Sequence, residues 1–455
     1  MKHILLLLLS LPAIIACSQE PASNREQAIV FTSVNVIPMD KERVLRNQVV
    51  VIKNGKIADI GEAGKIVYGK NALIINGEGK YLMPGLAEMH AHIPPNNDLE
   101  SMKENLLLFA MHGVTTIRGM LGHPRHIELR EMINKDEVIG PKFYTSGPSF
   151  NGNSVKTPEQ AAEMVRQQKQ AGYDFLKLHP GLSRESFDAM ATTAKEVNIP
   201  FAGHVSYAVG VWHAIDAGYS TIDHLDGFIE GLVPGIETYS EQELGLFGMF
   251  IADKADATRI NTLMNALRDN NIWVVPTQAL SERWFLSSAS VDQLRNAPEM
   301  KYMSKAQLDN WSNSKKNLMN NPKYDSTSIQ RFNKLRHKII YECNKNGVGL
   351  LLGSDAPQIF NVPGASVHHE LKYMVDAGLT PYEALLTGTV NVAKFYKLSA
   401  EKGIIKKGAV AELILLNGNP LEDIGQTWNI EGVMLRDKWL SKAFITKTLK
   451  SLEKR

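Results

Sequence analysis

MPGLAEMHAHI, residues 83–93, is the stretch on which the fold turns. Pro84 and Gly85 mark a turn, a short apolar run follows, and the run ends in His90-Ala91-His92. On a strand, residues i and i+2 share a face, so the two imidazoles project to the same side. Seven more apolar runs of strand length follow, at 113–120, 142–147, 174–179, 199–205, 220–225, 272–277 and 348–355. Amphipathic stretches of helical period separate them.

Strand–helix alternation argues for βα units around a parallel sheet. Eight units predict an α/β fold, a (β/α)8 TIM barrel over 84–399. The two ends of the chain differ from this body. IVFTSVNVIPM (29–39) and VVVIKNGKIADIG (49–61) are strand-like and broken by turn residues, as are AELILLNGNP (411–420) and VMLRDKWL (433–440). Residues 28–83 and 400–455 are therefore expected to form one small β-sandwich domain. About 70 residues separate the seventh and eighth runs, far above ordinary loop lengths. This insertion, at about 278–345, carries Trp284, Phe285, Tyr302, Trp311 and Tyr324. It reads either as a helical cap over the barrel mouth or as an appendage packed outside.

The 455 residues are 22% charged and 44% hydrophobic, an ordinary globular profile. Lys+Arg 50 against Asp+Glu 48 leaves +2, with no basic field to bind nucleic acid. Residues 1–17, MKHILLLLLSLPAIIAC, start basic and continue in an apolar run too short to span a bilayer. A secretory signal fits them. Ile14-Ile15-Ala16-Cys17 resembles the lipobox of bacterial lipoproteins, which implies cleavage before Cys17 and a lipid on its thiol. An ordinary secretory signal is the plainer alternative. Residues 18–27 are polar, as a tether would be. The chain is thus expected to be exported and lipid-anchored to the bacterial cell envelope, on the periplasmic side of a membrane. Cys343 is then left alone, and no intrachain disulfide is expected.

Barrel active sites lie at the C-terminal ends of the strands. Those ends carry His90 and His92, then Lys177 and His179, His204, His224 and Asp355. A lone His-x-His is a weak signal, but histidines and an aspartate at successive strand ends are not a packing pattern. This ordered set resembles the amidohydrolase superfamily in its two-metal form, with imidazolonepropionase-like and prolidase-like members nearest. GVTTIRGM (113–120), GHVSYAVG (203–210), IDHLDGF (222–228), GLLLGSDAP (349–357), HHELKYMVDAGLTPYEALLTGTVNVA (368–393) and KGAVAELILLNGNPL (407–421) extend the resemblance over about 30–440. Glu88 and Glu412 stand where the family usually has Asp, and Gly119 replaces a frequent Asp after Arg118.

The resemblance implies two divalent metal ions. His90, His92 and Asp355 would bind one, His204 and His224 the other, with Lys177 carboxylated to a bridging carbamate. Imidazole and carboxylate ligands suit zinc, and manganese, cobalt or iron stay open. It also implies a metal-bridging hydroxide that attacks a carbonyl. Asp355 would be the catalytic residue, taking the proton and passing it to the leaving nitrogen.

Other residues are weaker candidates. His179, Tyr207 and Arg118 are substrate-binding candidates, and a structural ion pair competes for Arg118. Asp223 and Asp226 flank His224 as turn carboxylates or partners of ligands. His368 precedes a predicted helix and is read as positioning it. The leading functional reading is a metal-dependent hydrolase of amide or peptide bonds, a prolidase-like dipeptidase or N-acyl amino acid amidase. Hydrolysis of cyclic amides or lactones is the alternative. Deamination loses ground because the one-metal deaminases carry His-x-x-Glu where this chain has His204-Val-Ser-Tyr207. Outside enzymes, the reading is a metal-free envelope binding protein. The expected partner is a small-molecule or dipeptide substrate, and homo-oligomerisation stays open.

Overall fold

The computed structural model describes residues 27–454. The signal, the Cys17 lipobox and nearly all of the tether lie outside them. The strands run, in order, β1 (Ile29–Val36), β2 (Leu45–Lys53), β3 (Lys56–Glu62), β4 (Leu73–Asn76), β5 (Tyr81–Pro84), β6 (Leu86–Ala91), β7 (Val114–Gly119), β8 (Lys142–Thr145), β9 (Leu176–Leu178), β10 (Phe201–Gly203), β11 (Thr221–Asp223), β12 (Trp273–Val275), β13 (Leu413–Leu416), β14 (Ile430–Leu435) and β15 (Lys438–Ser441).

Both ends of the chain enter one hydrogen-bonded sheet, in the order β15-β14-β13-β5-β1-β2-β3, with β4 paired to β1. The join is the antiparallel pairing of β13 with β5, which sets Leu413 opposite Pro84 and Leu416 opposite Tyr81. Asn54 and Gly55 connect β2 to β3 with φ of 50° and 69°. A two-residue hairpin of the twist-matching type needs left-handed backbone at both positions, which Asn and Gly adopt at least cost. Phe31, Val50, Leu82, Leu415 and Met434 gather on one side of this sheet. Trp439 closes on Phe31 edge-on, ring centroids 5.2 Å apart. The tail does not stay in strands as its pattern suggested. Ser441 accepts a hydrogen bond from Phe444 N and starts the helix Lys442–Ser451, whose Ile445 is buried in the main core.

The body holds two parallel sheets, β6-β7-β8 and β12-β11-β10-β9. A single parallel bridge, Ser146 to Phe175, links the two. Seven of the eight expected runs contain a strand. The eighth, 348–355, does not: it makes only isolated bridges, with Leu350 on Val274 and Ala356 on Ala91. It is bonded on both sides, since Leu351 N donates to Val274 O and Met89 N donates to Leu352 O. Its remaining donors are spent elsewhere. Leu352 N bonds Thr387 O, Ser354 N bonds the Glu88 side chain, and Asp355 turns to a φ of 63°. The ladder therefore breaks where the site begins. Every residue of β6 and β7 is buried, as expected when helices cover both faces of a parallel sheet.

The insertion folds into helices at Gln278–Trp284, Val291–Arg295, Lys305–Met319 and Ser326–Lys345. Leu280, Met300, Tyr302, Leu308 and Trp311 of its early part pack with Leu108, Phe360 and Leu452 from outside it in an apolar cluster separate from the main core. The long last helix sends Phe332, Ile339 and Ile340 into the main core. A second excursion, after β11, was not singled out by sequence. Short turns at Phe228–Leu232, Ile236–Thr238, Glu241–Leu244 and Leu246–Gly248 bring Phe247 over the strand ends.

Candidate active site

The strand ends carry the predicted ligands to one place. His92 Nε2 and Asp355 Oδ1 are 2.6 Å apart, and His90 Nε2 is 3.5 Å from the same oxygen. These three are the one group among the described residues whose ligand atoms are placed to hold a metal ion. Lys177 Nζ lies 3.4 Å from His90 Nε2. The His224 ring is 4.4 Å from that of His90 and 4.4 Å from that of His204, centroid to centroid. All six expected positions therefore converge.

Two of the four imidazoles are aimed by hydrogen bonds, and a third, His90, has a carboxylate close by without a hydrogen bond to it. His204 Nδ1 donates to Asp226 Oδ2 at 2.8 Å. His224 Nδ1 bonds Thr277 Oγ1 at 2.9 Å. His90 Nδ1 is 3.0 Å from Asp223 Oδ2. Hydrogen bonds such as the first two fix the ring and its tautomer, leaving the other nitrogen for a ligand. The backbone is held in left-handed form at His224, Thr277 and Asp355, with φ of 65°, 47° and 63°. Non-glycine residues there cost about 1–3 kcal/mol each and cluster at functional sites.

The donor set fits divalent cations. His224 Nε2 is buried and has no hydrogen-bond partner. Burial, then the Lys177 charge, keeps His90 neutral, and burial with the neighbouring His90 does the same for His224. A neutral imidazole is the form that binds metal. Lys177 is fully buried, and burial pulls its pKa down to about 8. A lysine so placed readily gives up its ammonium charge.

The weaker candidates separate. His179 stacks on His204 with centroids 5.1 Å apart, and its Nδ1 has no hydrogen-bond partner. The Tyr207 hydroxyl donates to the main-chain carbonyls of Ile236 and Tyr239, which ties down the excursion after β11. Arg118 is buried and bonds Met89 O, Thr221 Oγ1 and Asp223, the internal ion pair that competed with a substrate contact for it. His368 sits inside the helix Ala365–Asp376, not before it, and bonds Thr427 Oγ1 and His112 O. Glu88, under the pair of histidines, bonds His90 N and Ser354 and is not aimed at a ligand position.

Sequence reading missed Thr277, Arg336 and Phe247. Phe247 lies near-parallel to His224 at 5.3 Å. Arg336 donates to the carbonyls of His224 and Pro276. Thr277 ends the seventh apolar run, where the strand-end rule could have found it, whereas Arg336 and Phe247 come from a helix and a turn with no local pattern that marks them. Beside His204 and Asp226 opens a cavity of about 1050 Å³. Trp212, Val233, Leu244, Phe247, Met249 and Phe250 give it apolar walls.

Comparison with known proteins gives the family and the fold. Over 418 residues the chain is 21% identical to a 5-methylthioadenosine/S-adenosylhomocysteine deaminase of Clostridium tetani, covering 87% of this chain and 88% of that one. A 91-residue stretch is 33% identical to an adenine deaminase of Staphylothermus marinus, 20% of this chain and 15% of that protein's length. The solved structure of a Xaa-Pro dipeptidase with bound methionine in the active site superposes with a TM-score of 0.66 at 19% identity, covering 91% of this chain and 100% of that one. The profile of the Amidohydrolase family matches residues 81–440. The chain belongs to the amidohydrolase family and is a metal-dependent hydrolase of carbon–nitrogen bonds.

Proposed function

We propose that the chain is a two-metal amidase or dipeptidase of prolidase-like type. The supporting observation is the convergence of His90, His92, Lys177, His204, His224 and Asp355 on one buried point. His90, His92 and Asp355 would hold one cation, and His204 and His224 the other. A carbamate on Lys177 would join them, and zinc suits these ligands. When bound, such cations polarise a carbonyl and make water a strong nucleophile near neutral pH.

This chain's own residues do the rest. Asp355 takes a proton from the attacking water and returns one to the leaving nitrogen, so that amide and water become acid and amine. Asp226 and Thr277 keep two imidazoles aimed. The cavity beside His204 receives the substrate. No carboxylate follows His204 at the position that deaminases use, since Tyr207 stands there with its hydroxyl engaged by backbone. That favours hydrolysis of an open amide over ring deamination. Export and a lipid on Cys17 belong to the same reading.

The test is purification with divalent metal, metal analysis, and an assay panel of Xaa-Pro dipeptides, N-acyl amino acids, lactams and lactones. Two ions per chain and metal-dependent release of amine support the proposal. Turnover of lactones alone, or full activity after metal removal, overturns it.

A further inference from the structure

The cavity beside His204 and Asp226, about 1050 Å³, stands at the upper end of the range that holds drug-sized ligands. A dipeptide leaves much of it empty. Its inner polar groups are already engaged. Asp226 bonds the His204 ring and Val205 N. Ser206 Oγ accepts from Leu182 N, and Trp212 Nε1 donates to Gly231 O. The Tyr207 hydroxyl is held by backbone carbonyls, and Arg259 lies against the Trp212 ring at 5.8 Å. Glu230 has its Oε2 closed off, with Gly248 over the carboxyl. Burial, then the charge of Asp226, raises the Glu230 pKa and favours its neutral form. Glu237, Glu241, Gln242 and Asn321 are exposed. Val233, Leu244 and Met249 are buried walls, and Leu246, 43% exposed, carries the apolar lining outward. Such an interior rewards apolar surface over charge.

The cavity also has a direction. His204 lines it, whereas His90, His92 and Asp355 do not. Asp355 stands with His92, 2.6 Å away. A nitrogen that takes its proton from Asp355 leaves on that side, so the acyl substituent points past His204 into the cavity. Phe247 flanks this path. Its backbone is left-handed at a φ of 56°, between Gly245 at 69° and Gly248 at 73°. Its ring lies 6.0 Å from that of His204, within 14° of parallel.

We propose that this cavity takes a large apolar acyl group, which makes the substrates amides of bulky apolar carboxylic acids. This deepens the amidase reading and rests on the role given there to Asp355.

The experiment compares kcat/KM in two series that share N-acetylglycine as their first member. One lengthens the acyl chain, up to N-decanoylglycine. The other keeps the acetyl group and lengthens the side chain of the amino acid. In metal-loaded wild type the acyl series should gain about fourfold per added CH2 over the first several carbons, and the other series much less. A flat acyl series, or a steeper gain on the amine side, overturns the proposal. Phe250→Glu puts a charge in the wall and should flatten the acyl series. Leu246→Glu, at an exposed position, should cut the gain for the longest chains, which covers the case where Phe250→Glu fails to fold. A second readout needs neither metal nor turnover: the fluorescence of N-phenyl-1-naphthylamine on metal-free protein. Binding that N-decanoylglycine displaces and N-acetylglycine does not, weakened in Leu246→Glu, supports the apolar pocket even if no amide is cleaved. No binding, or equal displacement by the two, defeats it even if amides are cleaved.

Discussion

Arg336 Nη1 donates to the main-chain carbonyl of His224 at 2.6 Å, across 112 residues of sequence. Its Nη2 reaches Pro276 O at 2.7 Å and its Nε reaches Gln278 Oε1 at 2.9 Å. One guanidinium thus pins the ends of β11 and β12 from the long helix of the insertion. Lysine has no planar fork and cannot make this three-way contact. Arg336→Lys should cost about 2 kcal/mol, read from urea denaturation of metal-free protein. An unchanged midpoint would assign the contact no structural weight.

Asp226 and Thr277 orient the two imidazoles of the proposed second cation. Asp226→Asn and Thr277→Val should each weaken that cation by about 10- to 100-fold and spare the one at His90, His92 and Asp355. Competition with a graded series of chelators resolves two affinities and shows which one moves. Equal weakening of both would contradict the division of ligands.

Lys177 and Asp355 should fail in different ways. Lys177→Met should lose an ion along with turnover, because methionine cannot carry a carbamate. Asp355→Asn should lower kcat by about 10²- to 10⁴-fold, the usual share of an acid–base group, with a smaller change in metal content. Metal analysis beside kcat separates the two. Full turnover with both ions retained in Lys177→Met would defeat the two-metal proposal.

Stability should fall on mild acidification. Burial, and then the nearby His112 charge, pulls the His368 pKa from 6.5 down to about 3. Between those values the unfolded chain holds a proton that the folded chain refuses, so stability rises with pH. The contribution is complete above the unfolded value and is lost as pH falls toward the folded one. The slope from this group reaches about 1.4 kcal/mol per pH unit. His368→Gln should flatten urea midpoints measured from about pH 4 to 7 relative to wild type. His126, pulled to about 4 by burial, should leave a residual slope.

The ligands were legible because each stands at the end of an apolar run, where the strand period and the C-terminal edge of a parallel sheet fix its direction. Asp223 and Asp226 were legible as neighbours of His224, though not which imidazole each serves. Arg118 was harder. Its strand-end position resembled that of a substrate contact, and its partner Asp223 comes from β11, out of reach of local reading. The eighth run looked like a strand by composition, but Glu88 takes the Ser354 N–H that a ladder would have used. Phe247 sits in a single short turn and Glu230 on a five-residue helix, both too short to show a period. Only the packed chain brings Gly248 onto Glu230 and the Phe247 ring beside His224.

The pairing of β13 with β5 orders events in the life of the polypeptide. During synthesis β1 to β5 are made before the two parallel sheets of the body and before β13. The β5 edge stays open until the last segments arrive, and an open edge recruits foreign strands. A chain cut short before residue 413 never covers that edge. Truncated products should therefore be selectively degraded or aggregate, which makes the small sheet a seal that only a finished molecule can close.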